Sequence, residues 1–193
     1  MDHEEIAIGA IGLATAYGIA EMFYKTAKSA YEPLIEAVSG YLEGKTVNFH
    51  TTYFSHELKV WSQDVSFDLS QVVKILKISE NIAIASAFYV SFIETSLNFF
   101  RAWKGQGNRP FVVDIMEGGI RGSIVGLAVS FFKSEEDYRG VQIATGLVIG
   151  YTVGMMGAFI GSLGGYITHA LLNSPIDTID QKFREIGQSV FVK

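Results

Sequence analysis

Glu94 is the only charged residue in the apolar run from Ile82 to Phe100. Asp114, Glu117 and Arg121 follow at steps of three and four inside the next apolar run, Phe111 to Phe132. Carboxylates and a guanidinium in apolar surroundings are the residue types of a proton or ion path, because a charge is costly there. They also have a plainer use. Glu117 and Arg121 are i, i+4 on one helix and can neutralise each other, while Glu94 can pair with Arg121 or bond a neighbouring hydroxyl. A path through Glu94, Glu117 and Arg121 needs a water relay that no motif supplies, so pairing is the expectation.

Other reactive residues are sparse. His50 and His56-Glu57 match neither the i, i+4 histidine pair of a zinc helix nor any other zinc spacing, which leaves surface or strand positions. His169 falls near the end of the last apolar run, where an interfacial histidine is expected. Gly105-Gln106-Gly107 lacks the following lysine and hydroxyl of a phosphate loop. There is no nucleophile elbow. With 0 cysteines, disulfides, thiolate metal sites and cysteine nucleophiles are excluded. The reading is therefore no catalytic residue, no metal and no cofactor. A net charge of −5 without a Lys/Arg cluster excludes a nucleic-acid surface.

The elements that carry these residues are apolar. Hydrophobic residues make up 49% of the 193 and charged residues 18%, below the roughly 25% typical of soluble domains. Ile6 to Tyr24 is a run of span length interrupted by Glu21, with Gly9, Gly12, Ala16 and Ala20 as a small-residue stripe. Asp2, Glu4 and Glu5 replace the positive start of a signal peptide. The spacing of Ala30, Tyr31, Leu34, Ile35, Val38, Tyr41 and Leu42 predicts an amphipathic helix over 27–42, restarting at Pro33. Between 45 and 69, Val47, Phe49, Thr51 and Tyr53 alternate, as do Val65, Phe67 and Leu69, which predicts short strands outside the bilayer.

Two runs carry glycine at helical spacing. Gly118, Gly122 and Gly126 are four apart; Gly146, Gly150, Gly154, Gly157, Gly161 and Gly164 fit one ~100° arc of the helix over 141–172. Glycine costs about 1 kcal/mol against alanine within a helix, so a bare ridge must gain close approach to another helix. The charged connector Lys133 to Gly140 is short enough to fold the two runs back on each other. The later run, about 48 Å long, exceeds a ~30 Å hydrocarbon core and must tilt, project or break. Asn173-Ser174-Pro175 stops it, and the steps of Ile176, Ile179, Phe183, Ile186 and Val190 predict an amphipathic helix over 175–193.

The expected fold is mainly α: a multi-pass helical membrane protein of about four spans, at 6–24, 82–100, 111–132 and 141–172. It has a glycine-striped helical hairpin and a small extramembrane β segment at 45–69. Both termini then share one side, and six Lys/Arg there against eight opposite give no orientation. The expected function is a non-enzymatic integral membrane subunit that packs into a larger assembly, such as a respiratory-type complex or a virion membrane. Its partners would be the lipid bilayer and other membrane subunits or copies of itself. A membrane-inserting or pore-forming protein built on the glycine hairpin is the alternative. A soluble helical protein with a very apolar core is the third reading.

Overall fold

A computed structural model describes residues 3–54, 60–106 and 109–173. Within them the order is α1 (His3–Leu42), β1 (Thr46–Phe54), β2 (Val60–Asp68), α2 (Ser70–Trp103), α3 (Phe111–Lys133), a 3₁₀ turn (Glu136–Tyr138) and α4 (Arg139–Asn173). The segment 175–193, expected as an amphipathic helix, lies outside the described residues.

α1 is one helix of 40 residues that passes through Pro33, not a span followed by a second helix. Proline removes one donor and crowds the carbonyl four residues earlier. Tyr31 before it packs on the buried cluster of Ala83, Ala87 and Val153. Ile35 after it is buried. Apolar contacts on both sides hold the axis through the missing hydrogen bond. Glycines then terminate two helices. Gly44, just past α1, has φ +72°, and Gly105, just past α2, has φ +67°, a conformation that favours glycine. At Gly105 the amides of Gly105 and Gln106 return to the carbonyls of Ala102 and Arg101, which closes α2 with a Schellman turn.

The period-two segment forms an antiparallel hairpin, with Val47 opposite Phe67, Phe49 opposite Val65 and His50 opposite Asp64. Alternation puts Val47, Phe49, Val65 and Phe67 on one face and Asn48, His50, Asp64 and Ser66 on the other. It joins the ends of α1 and α2 through the Leu69 amide, which donates to the Lys45 carbonyl at 3.0 Å.

The helices alternate in direction. The hydroxyls of Ser91 and Thr95 donate to the carbonyls of Gly157 and Gly161, so α2 and α4 run parallel at a constant offset of 66 residues. α3 lies antiparallel on α4, and α1 antiparallel on α2. The interior is made of small groups: Ala16, Ala20, Ala83, Ala87 and Ala158 are fully buried, together with Ser86, Ser91 and Ser130. Ile82 and Val90 are the larger apolar side chains that join them.

Among the described residues three helices, α1, α2 and α4, are long and apolar enough to cross a membrane. α3 has 23 residues, but Asp114, Glu117 and Arg121 occupy its first half.

Candidate functional site

The first candidate is the seam of close backbones along α4. A Cβ built on Gly122 would collide with the Gly150 carbonyl and lie 2.6 Å from the Gly154 Cα. One on Gly126 would collide with the Gly146 carbonyl and lie 3.2 Å from the Gly150 Cα. Gly118 faces Ala158 and the Gly154 carbonyl. At these positions the absent side chain is what lets α3 and α4 touch through their main chains, with dispersion and weak Cα–H contacts in place of side-chain packing.

The six glycines of the arc from Gly146 to Gly164 do not share one partner. Gly146, Gly150 and Gly154 meet α3. Gly157 and Gly161 meet α2, where their Cβ positions fall 3.3 Å from the Ala87 carbonyl and 2.7 Å from the Ser91 carbonyl. Gly164 meets Ile19 of α1 at 2.6 Å. A single arc on a straight helix therefore serves three neighbours, because those neighbours cross it at different heights. The α2 side answers with Ser91 and Thr95, whose hydroxyls bond the α4 carbonyls at 3.2 and 3.1 Å. Four polar residues of α2, Ser91, Glu94, Thr95 and Asn98, are buried as one stripe.

The second candidate is the charged cluster where α2, α3 and the loop before α3 meet. Arg121 forms ion pairs with the fully buried Glu94 of α2 and, at 2.7 Å, with Glu117 on its own helix. Glu117 also receives both guanidinium nitrogens of Arg109, at 2.6 and 3.1 Å. This bidentate bond holds the Arg109 guanidinium above its ordinary pKa. Deeper between the helices, buried Asp114 faces Arg101 at 3.6 Å and accepts from the Ser162 hydroxyl of α4 at 3.5 Å. Arg101 is steadied by the Asn98 amide oxygen at 2.8 Å.

Glu94, Asp114 and Glu117 thus face Arg101, Arg109 and Arg121, so the cluster is neutral as a unit. Neutral, multiply bonded charges fix the relative position of helices, and each depends on the others for solvation. Arg109 was invisible in the sequence pattern. It sits eight residues before Glu117, beyond any helical pairing rule, and only the chain reversal ahead of α3 brings the two together.

The remaining candidates separate. His50 contacts Asp64 across the hairpin at 2.8 Å, on an exposed face. His56, Glu57 and the His169 side chain lie outside the described residues. Gly105 closes α2 as described. Among the described residues no group of three or more His, Asp or Glu is arranged to hold a metal. Comparison with protein-family models, curated proteins and solved structures gives no match to this chain.

Proposed function

We propose that this chain is an integral membrane protein that packs into a larger membrane-associated assembly and stabilises it, with no reaction of its own. The supporting observation is the inverted distribution of side-chain size. Alanine, glycine and serine fill the contacts between helices, while large apolar residues point away from them. On α3, Val112, Met116, Ile120, Ile124, Leu127 and Phe131 form an exposed row at steps of four and three. Phe132 is 84% exposed and Val148 67%. In water, so much contiguous apolar surface drives association. In a bilayer it is solvated by acyl chains or by neighbouring helices, and small residues at the contacts are the normal packing solution.

The charged residues fit the same role. Glu94, Asp114, Glu117 and their arginines are engaged with one another, which ties α2, α3 and α4 into a fixed platform. Respiratory-type complexes and virion membranes are settings that use such packing subunits. Extraction of the full chain in mild detergent, followed by size separation and mass analysis, tests the reading. Stoichiometric partners or a defined homo-oligomer are expected. A stable, lone monomer, or a chain that stays dispersed in buffer without detergent, would overturn it.

A further inference from the structure

Along their seam, α1 and α2 leave an open groove of about 680 Å³, within the size range of small-ligand sites. One end is aromatic. Phe88 of α2 has the rings of Tyr17, Tyr24 and Tyr89 set edge-on around it at 5.8, 6.0 and 5.6 Å. The other end is charged. Glu21 and Lys25 satisfy each other at 2.9 Å. Lys28, Glu32 and Glu80 line the same groove and take part in no ion pair among the described residues.

With α1 and α2 crossing a bilayer, the two ends fall at different depths. Tyr17 and Phe88 belong to the apolar stretches of α1 and α2, whereas Lys28, Glu32 and Glu80 come just beyond those stretches, at the level of headgroups. An aromatic floor beside a charged rim, open to the side, is the pattern of an amphiphile. Charge selects among amphiphiles. Once Glu21 and Lys25 cancel, one cation and two anions remain, so an anionic headgroup would add to an excess of negative charge. A zwitterionic headgroup offers phosphate to the lysine and ammonium to the carboxylates and ring faces.

We propose that this groove binds one zwitterionic phospholipid. Its phosphate sits on Lys28, its ammonium group between Glu32 and Glu80, and its acyl chains lie along Tyr17 and Phe88. The inference rests on the membrane reading and adds a specific ligand to it.

The test uses the full chain in nanodiscs of equal phosphatidylethanolamine and phosphatidylglycerol, followed by extraction and native mass spectrometry of the lipid retained. Recovery of the chain in the nanodisc fraction checks membrane residence separately from the groove. Retained phosphatidylethanolamine is expected to exceed phosphatidylglycerol by about tenfold. Lys28→Ala and Glu80→Gln should each lower it by about tenfold, the scale of one charge-assisted contact. Lys28→Arg keeps the charge and should retain the lipid, and Lys104→Ala, just past the opposite end of α2, should change nothing. Soluble phosphoethanolamine should compete and inorganic phosphate at the same concentration should not. Preference for phosphatidylglycerol, indifference to Lys28→Ala, or displacement by inorganic phosphate alone would each overturn the assignment.

Discussion

Replacing Gly122 by alanine puts a methyl group where the Gly150 carbonyl and the Gly154 Cα already stand. Backbone cannot rotate aside as a side chain can, so α3 and α4 must separate along their shared seam. Overpacking of this kind costs about 3 kcal/mol at the upper end of its range. Alanine returns about 1 kcal/mol of helix propensity, which leaves a net loss of about 2 kcal/mol. Gly18 of α1 is the matched control, because nothing lies within 4 Å of its Cβ position. There the same substitution should stabilise by about 1 kcal/mol. Gly157 falls between, with its nearest neighbour at 3.3 Å, and should be close to neutral. Adding Gly150→Ala to Gly122→Ala should cost less than the sum, since both methyls open one seam. Denaturant titration in detergent micelles, followed by circular dichroism, reads all four variants. If Gly122→Ala proves as stable as Gly18→Ala, the contact between main chains is not what holds α3 to α4.

Further expectations concern charge and permeability. Glu94→Ala removes one of the two carboxylates on Arg121 and leaves Glu117, so it should cost about 1–3 kcal/mol, while Glu94→Leu with Arg121→Met should recover most of the loss; the same titration decides, and a double variant as weak as the single one contradicts the pairing. Asp68 accepts the Ser70 amide and hydroxyl at 2.9 and 2.7 Å, and the Ser70 bonds lower its pKa from the ordinary value. Its contribution to the start of α2 is complete above the ordinary value and lost as pH falls through the lowered one. Protection of the Ser70 amide, its exchange rate relative to an unstructured amide at the same pH, should therefore fall on acidification in wild type and be low at every pH in Asp68→Asn. The touching backbones of α3 and α4 leave no lumen between them, so purified protein added to dye-loaded liposomes should release none; rapid release would favour the pore-forming alternative.

Periodicity made most of the architecture readable, because burying a face leaves a rhythm in the residues. Val47, Phe49, Val65 and Phe67 marked the hairpin by alternation, and the glycine spacing of α3 and α4 marked helices with a bare ridge. What periodicity lacks is the identity of the neighbour. The arc from Gly146 to Gly164 looks uniform in sequence, yet its residues meet α3, α2 and α1 in turn. Pro33 carried a break signal strong enough to divide α1 on paper, and contacts from Tyr31 and Ile35 outweighed it. Asp114, Glu117 and Arg121 were read as one polar face of the run 111–132, and the structure pairs that face with Arg101, Arg109 and Glu94. Glu94 and Arg121 were recognisable as partners because both needed one. Arg109, Ser162 and the groove of Lys28 and Glu80 left no such trace, since they are products of tertiary approach.

The unbroken first helix has a mechanical corollary. Its 40 residues amount to roughly 60 Å, about twice the thickness of a hydrocarbon core. If Ile6 to Tyr24 occupies the bilayer, the remaining 18 residues to Leu42 rise about 27 Å above the acyl region as a rigid mast. The β ribbon rides at its top, out of reach of the host leaflet's interior. Whatever that ribbon touches is met at a fixed standoff, and trimming the mast would have to be matched turn for turn in α2.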